Sequence, residues 1–242
     1  MLAEPSTPNA DTARWALLDG MTEPLSVHIW SDIACPWCFV GKRRFERAAR
    51  EFDGELEVEY HSFELSPDTP VDFEGGEADF LAGYKGMPRE QAVRMLEQMT
   101  ELAATEGLRY DFAAVRHTRT LLAHQAIHHA KAQGRQEALV ERLFQAYFEQ
   151  GRHVGRVDDL ADLAAEVSLD RDGTRQALLD GTYADAVAED IAVARDAGIN
   201  GVPFYVVGGR YAVSGAQSSE VFGTALRRAA ADPAAAATPE PL

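Results

Sequence analysis

Residues 31–38 read Ser-Asp-Ile-Ala-Cys-Pro-Trp-Cys, and they contain both cysteines of the chain, Cys35 and Cys38. Two thiols this close in sequence can form a disulfide with each other or exchange one with a partner molecule. When such a pair follows a strand and opens a helix, it is typical of a redox-active dithiol. The stretch therefore predicts a local structure, strand then helix, and a chemistry, thiol–disulfide exchange.

The sequence on both sides of the dithiol alternates as strands do. Residues 25–30 and 56–63 place apolar residues at alternate positions over most of their length. Between them, apolar residues from Pro36 onward recur at helical spacing, and Gly54 stands where that helix is expected to end. This pattern predicts a β-α-β unit whose helix begins at the dithiol.

A long helical block and a second strand-containing part follow. Residues 64–76 are rich in Pro and Gly and predict a loop. The helical candidates are 77–83, 88–107, 120–133, 135–150, 157–167, 171–180 and a segment around Asp185 that ends at Ala197. A strand at 203–207, a Gly208-Gly209 turn, a strand at 210–213 and a helix at 218–231 then complete the pattern.

The order of these elements, β-α-β, helices, then α-β-β-α, predicts an α/β fold interrupted by helices. Residues 24–66 and 186–231 are expected to form one domain around a single sheet, and residues 67–185 an all-helical insertion domain. Residues 1–23 are predicted to be a disordered leader, and residues 232–242 a frayed tail. Met21 is an alternative to Met1 as the true start.

Charge and composition limit the classes of partner. The 242-residue chain has 23 basic and 39 acidic residues, a net charge of −16. Nucleic acid and anionic membranes would repel such a chain, so neither is an expected partner. No apolar run is long enough to cross a bilayer, and residues 1–20 lack a signal-peptide pattern, which predicts a cytoplasmic protein. A monomer and a homodimer are both compatible with this composition.

The two cysteines are expected to have different roles. Cys35 falls at or just before the helix start and Pro36 at its first position, so unpaired N–H groups and the helix dipole favour the Cys35 thiolate. Cys35, expected to be the more exposed, should attack a substrate disulfide, and the deeper Cys38 should resolve the mixed disulfide. Pro36 and Trp37 would help to set the redox poise. Asp32 is either a turn residue or a group that opposes the dipole and accepts a proton from Cys38.

Val202-Pro203 is the second candidate element. A proline that opens a strand after a glycine can be an ordinary edge residue, or it can follow a cis peptide bond. A cis bond could aim the Val202 backbone at the dithiol, where it could hydrogen-bond an extended substrate chain. The residues alone leave both alternatives open.

Three separated motifs, residues 31–38, Gly-Ile-Asn-Gly-Val-Pro at 198–203 and Ser-Gly-Ala-Gln at 214–217, together resemble the DsbA family. The chain looks most like its FrnE-type branch. This resemblance implies a thioredoxin fold with a helical insertion, a redox dithiol at Cys35 and Cys38, and a cis bond before Pro203 that faces the dithiol. It also implies protein or small-molecule disulfide and thiol substrates, with no cofactor beyond the cysteine pair and glutathione as a possible co-substrate.

The insertion carries one departure from that branch. Its members often have an Asn-Thr pair shortly ahead of an Ala-His pair, in a segment that bears on substrate contact. The present sequence has Arg119-Thr120 followed by Ala123-His124, so the Asn is replaced while the Ala-His pair is kept. His124 is therefore a candidate modulator of the site.

Metal binding is one alternative to thiol–disulfide exchange. His124 and His128 have a spacing that metals can use, but no third ligand is evident and packing roles are expected; structural zinc at Cys35 and Cys38 would need two further ligands. No metal site is predicted.

Kappa-class glutathione transferases and related isomerases are a second alternative. They share the insertion topology but typically keep one nucleophilic Ser or Cys, and Cys38 argues against them. A redox-inert binding module is a further alternative. The basic residues Lys42, Arg43 and Arg44 are expected to form a solvated helix face.

Overall fold

The computed structural model describes residues 23–232. The fold contains a mixed four-stranded sheet. Its strands are β1 (Leu25–Ser31), β2 (Leu56–Ser62), β3 (Phe204–Val207) and β4 (Tyr211–Ser214). Their order is β2-β1-β3-β4, with β1 parallel to β2 and β3 antiparallel to both β1 and β4. The β3–β4 turn uses Gly208 and Gly209 at φ angles of 56° and 66°, the left-handed conformation that a tight hairpin requires.

One helix links β1 to β2, seven lie between β2 and β3, and one follows β4 within the described residues. They are α1 (Pro36–Arg50), α2 (Glu77–Lys85), α3 (Arg89–Thr105), α4 (Leu121–Lys131), α5 (Gln136–Phe144), α6 (Val157–Ala165), α7 (Arg171–Leu179), α8 (Ala184–Asp196) and α9 (Ser219–Ala231). A short π-helical stretch, Gln145–Glu149, continues α5 to the end of the helix predicted at 135–150. The sequence pattern did not reveal this change of helix type.

The two faces of the sheet are covered by different helices. Val27, Ile29 and Tyr205 point into the main core with the aromatic side chains of α1 and α9, since Phe45 and Phe222 both contact the Tyr205 ring. The opposite face carries Trp30, which packs in a smaller cluster with Ala194 and Ile199, at and just beyond the end of α8. Because side chains alternate along a strand, one face of the sheet contacts the main core and the other contacts the cluster next to α8.

The predicted order of elements is confirmed, and with it the α/β thioredoxin fold with a helical insertion. The division into domains at 24–66, 67–185 and 186–231 stays a prediction. The leader and tail predictions fall almost wholly on residues 1–22 and 233–242, outside the described residues. Within residues 23–232 no helix has both the length and the apolar character to cross a bilayer.

The solvated basic face predicted on α1 is wrong. Lys42 is only 3% exposed and pairs with Glu46 and Glu141. Arg43 also pairs with Glu141, while Arg44 reaches Glu106 at 2.6 Å. Lys42 is thus buried, and Arg43 and Arg44 are half-buried. Helical spacing predicts which residues share a face, but the acidic partners of these three side chains on α5 and at the end of α3 come from distant parts of the sequence.

Candidate active site

The dithiol lies at the start of α1, directly after the turn that leaves β1. Cys35 is the residue that precedes the helix, with Pro36 at its first position. The Cys35 N–H donates to the Asp32 carbonyl and the Cys38 N–H to the Cys35 carbonyl, both at 3.0 Å, so the turn runs into the helix without a break. Both cysteines are free thiols. The helix N-terminus therefore faces Cys35, as the motif predicted.

Both thiols are almost fully buried: Cys35 is 4% exposed and Cys38 2%, so Cys35 is the more exposed of the two, as predicted, but only by a small margin. Two distant segments pack beside the helix start. The Val202 carbonyl lies 3.6 Å from the Cys35 sulfur, and the Tyr110 hydroxyl donates to the Pro36 carbonyl at 2.6 Å. Burial raises the pKa of Tyr110, and the neighbouring Cys35 and Cys38 raise it further. Exposure could not be predicted because it depends on these tertiary contacts.

The Cys38 thiol is held in its neutral form. Burial raises the pKa of Cys38 well above its ordinary value, and the hydrogen bond with Cys35 and its charge raise it further. The Ser31 side chain and the Asp32 backbone oppose this shift by hydrogen-bonding Cys38. Cys38 is therefore buried in its protonated form, in the first turn of the helix that Cys35 precedes.

The Val202–Pro203 peptide bond is cis, and the Val202 carbonyl accepts a hydrogen bond from the Cys35 thiol. The helix approaches this loop closely because residue 41 is glycine. A Cβ atom at Gly41 would lie 2.8 Å from the Tyr205 hydroxyl oxygen and 3.0 Å from Pro203 Cγ. A glycine inside a helix is the sequence signal for such an approach, but Gly41 was not among the predicted site residues.

Asp32 anchors the turn with both carboxylate oxygens. Oδ1 accepts from the Ala34 N–H at 3.2 Å and Oδ2 from the Leu65 N–H at 2.8 Å. Burial raises the pKa of Asp32, but the contacts with His124, the Leu65 N–H and the Thr120 hydroxyl outweigh that effect, so its pKa lies below the ordinary value. The carboxylate is therefore ionised beside the dithiol turn and serves the turn geometry.

His124 faces inward to this carboxylate. It is 2% exposed, and its Nε2 atom lies 3.5 Å from Asp32 Oδ1. Thr120 and Ala123 are buried as well, so the kept part of this motif lies in the interior rather than at the protein surface. Arg119, which replaces the Asn of the related branch, pairs with Glu64 at 3.2 Å. This burial argues against a direct substrate contact by His124 and is compatible with the modulating role predicted for it.

His124 and His128 do not converge on a common point. His128 Nε2 lies 2.9 Å from Asp190 Oδ2 and 3.2 Å from the Ser62 hydroxyl, whereas His124 faces Asp32. The two rings therefore serve different carboxylates. This arrangement fits the packing roles expected for them.

Two exposed apolar side chains lie beside the dithiol turn. Trp37 is 44% exposed directly after Pro36, and Leu65 is 36% exposed beside the Asp32 anchor. Lys85 of α2 donates to the Leu65 carbonyl, and its neighbour Tyr84 is also exposed. Tyr110, Leu65 and Gly41 were not predicted as site residues, because only the tertiary fold brings them to the helix start.

Comparison with known proteins agrees with this geometry. A family model described as a DSBA-like thioredoxin domain matches residues 26–227. The uncharacterized protein YwbO of Bacillus subtilis (strain 168) is 32% identical over 206 residues, which cover 84% of this chain and 96% of that protein. The crystal structure of a probable DsbA oxidoreductase, SCO1869 from Streptomyces coelicolor, is 39% identical with a TM-score of 0.80, covering 90% of this chain and 93% of that one.

A more distant structure has the same fold. It is a 2-hydroxychromene-2-carboxylate isomerase, 16% identical with a TM-score of 0.64, covering 84% of this chain and 95% of that one. At this identity the likeness shows the fold alone. The family match, in contrast, spans most of the sequence and includes the dithiol turn, the insertion and the cis-proline loop. The chain therefore belongs to the DSBA-like thioredoxin domain family of thiol–disulfide oxidoreductases, as its three motifs predicted.

Proposed function

We propose that this protein exchanges disulfides with its substrates through Cys35 and Cys38. The observation that carries the proposal is the position of two buried thiols at the start of one helix, where Cys35 also contacts the Val202 carbonyl at 3.6 Å. The unpaired N–H groups of the first helical turn stabilise negative charge on the Cys35 sulfur. Cys35 is thus the nucleophile and Cys38 the resolving thiol.

The exchange has two steps. The Cys35 thiolate attacks one sulfur of a substrate disulfide, so that a mixed disulfide forms and the other substrate sulfur leaves as a thiolate. Cys38 then attacks the Cys35 sulfur and releases the second substrate thiolate, while the Cys38 proton passes to a departing thiolate. The protein ends with a Cys35–Cys38 disulfide, and the substrate has gained two electrons. The reverse sequence oxidises a substrate dithiol.

The Val202 carbonyl and Trp37 are proposed to bind the substrate. A backbone N–H of an extended substrate chain would replace the Cys35 thiol as the donor to Val202. Pro203 holds the loop against α1 beside this carbonyl, and Pro36 starts the helix that presents Cys35. Since Cys35 is 4% exposed and Trp37 44%, the substrate would meet the Trp37 side chain before it reaches the sulfur. Protein and small-molecule disulfides or thiols, with glutathione among them, are the proposed partners.

Asp32 and His124 are proposed to act as positioning residues. The ionised Asp32 carboxylate fixes the turn through Ala34 and Leu65, and its negative charge opposes thiolate formation at the dithiol. His124 supports the carboxylate from α4. A depressed pKa makes Asp32 a poor proton acceptor, so the geometry favours the turn role of the two that the sequence allowed.

A glutathione transferase or isomerase is the second candidate, because an isomerase shares the fold. The second buried thiol, Cys38, which lies in the first turn of the helix that Cys35 precedes, favours the dithiol mechanism, since a single-nucleophile enzyme needs no resolving thiol. A redox-inert binding module would leave the dithiol without a use.

Three expectations stay predictions: a cytoplasmic location, a monomeric or homodimeric state, and membership of the FrnE-type branch.

The reduction of insulin disulfides by dithiothreitol tests the proposal. We expect wild-type protein at catalytic concentration to accelerate this reduction several-fold, whereas a Cys35→Ser/Cys38→Ser variant should leave the uncatalysed rate unchanged. Circular dichroism of both proteins checks that the variant is folded. If the two proteins give equal rates of insulin reduction, both with dithiothreitol and with glutathione as the reductant, the redox-inert alternative is supported.

A further inference from the structure

A second cluster of ionisable side chains lies on the sheet face opposite α1. His28 on β1 pairs in register with Glu59 on β2, and His61 stands two residues beyond Glu59. Because side chains alternate along a strand, all three point to one side of the sheet. Trp30, on the same face, packs next to α8. The cluster is therefore separate from the dithiol and its helix.

The potential ligand atoms of this cluster converge. One atom from each side chain lies within 4.8 Å of the other two. His28 Nδ1 is 2.9 Å from His61 Nε2, and Glu59 Oε1 is 3.5 Å from that same nitrogen. A tetrahedral zinc ion with its usual bond lengths holds ligand atoms about 3.3 Å apart. Two of the three separations thus bracket the value that the metal needs.

Asp190 of α8 orients His61 from behind. Its Oδ1 lies 2.8 Å from His61 Nδ1, so this carboxylate fixes the proton on Nδ1 and leaves the Nε2 lone pair facing the cluster. The Ser62 N–H in turn holds Asp190 Oδ2 at 2.7 Å. Trp30 stacks on the His61 ring with centroids 4.6 Å apart. Metal-binding histidines commonly have such a carboxylate partner and a fixed ring plane.

The charge state of the cluster also suits a cation. The Glu59 and Asp190 carboxylates supply negative charge next to the His61 imidazole. Lys131 pairs with Glu59 and is the local positive group that a metal ion would displace.

We propose that His28, Glu59 and His61 form a binding site for a divalent cation of the zinc type. Two imidazole nitrogens and one carboxylate oxygen are a donor set that Zn²⁺ accepts, with water in the remaining position. Without the ion, His28 Nδ1–H donates to His61 Nε2; on binding, that proton moves to the other nitrogen of His28. The site ties β1 to β2 and does not depend on the dithiol chemistry.

Calorimetric titration with Zn²⁺, with Co²⁺ absorption as a second readout, tests this site. The protein is used in its Cys35–Cys38 disulfide form, because free thiols would bind the metal themselves. We expect one ion per chain, and at least about tenfold weaker binding in the His28→Gln and Glu59→Gln variants. His129→Gln, a histidine elsewhere on α4, is the matched control and should bind as wild type does.

The Lys131→Gln variant gives a result that misfolding cannot imitate, because its Zn²⁺ binding should become tighter. Removing the ammonium that competes for Glu59 should tighten Zn²⁺ binding several-fold. Circular dichroism of each variant confirms that it is folded before titration. The proposal is overturned if the oxidised protein binds no Zn²⁺ or Co²⁺. It is equally overturned if Glu59→Gln and Lys131→Gln both bind the ion with wild-type affinity.

Discussion

Replacing Gly41 with valine is expected to destabilise the protein by about 3 kcal/mol, at the upper end of the range for overpacked cores. Even a Cβ atom at this position would lie 2.8 Å from the Tyr205 hydroxyl oxygen and 3.0 Å from Pro203 Cγ. Valine adds two methyl groups to that contact. Because Pro203 belongs to the loop that reaches Cys35, insulin-reduction activity should fall as well, even where the variant is still folded.

Urea unfolding of Gly41→Val beside Gly83→Val measures this effect. Gly83 is an exposed glycine within α2, and a Cβ atom there would meet nothing within 4 Å. The control should therefore unfold within about 0.5 kcal/mol of wild type, since valine is slightly better than glycine in a helix. Equal stability of the two variants would mean that α1 does not approach the cis-proline loop as described.

Replacing Asp32 with asparagine is expected to have two separable effects. Asparagine has one acceptor oxygen and one NH₂ group, so it cannot accept from both the Ala34 and Leu65 N–H groups, and one buried donor loses its partner. The loss should cost about 1–3 kcal/mol of unfolding free energy. Removing the negative charge also favours the Cys35 thiolate, which should make the dithiol more oxidising by about 30 mV.

The stability effect has a predicted pH dependence. The folded pKa of Asp32 is depressed below its ordinary value of 3.8, so ionised Asp32 contributes its full stability above that pH. The free-energy difference between wild type and Asp32→Asn should therefore be constant near neutral pH. It should shrink as the pH falls below 3.8 and through the lower folded pKa.

Asp170→Asn serves as the control for this variant. Asp170 caps α7 and accepts from the Gly173 N–H at 2.7 Å, in the helical insertion. Asparagine caps a helix about as well as aspartate does, so neither stability nor redox potential should change much. Equilibration with glutathione buffers gives the potential. An Asp32→Asn potential equal to that of Asp170→Asn would refute the electrostatic role assigned to Asp32.

The sequence predicted the elements well because their signals are local. The strands at 25–30 and 203–207 and the helix from Pro36 appear within one residue of their predicted starts. Alternation and helical spacing come from short stretches, and glycine marks their ends. The helix at 120–133 is likewise found as Leu121–Lys131. Two helix ends were not predicted: α1 ends at Arg50 rather than at Gly54, and α5 continues as a π-helical stretch although its residues are ordinary helix formers.

The site was only partly predictable because its contacts span the chain. Cys35 and Cys38 follow from the motif itself. The cis bond before Pro203 came only from the family resemblance, since either isomer fitted the local sequence. Sequence periodicity does not predict the burial of Cys35 against the Val202 carbonyl, or the hydrogen bond from the Leu65 N–H to Asp32. Each of these contacts joins segments that are far apart in the sequence.

The reaction of a Cys38→Ser variant with a disulfide-containing peptide tests the assignment of the two thiols most directly. Without the resolving thiol, a mixed disulfide should accumulate in stoichiometric amount, and peptide mapping by mass spectrometry should place it on Cys35. Cys35→Ser is the matched control and should accumulate no such adduct. If Cys38→Ser forms no adduct, or if Cys35→Ser traps the peptide equally well, Cys35 is not the attacking nucleophile.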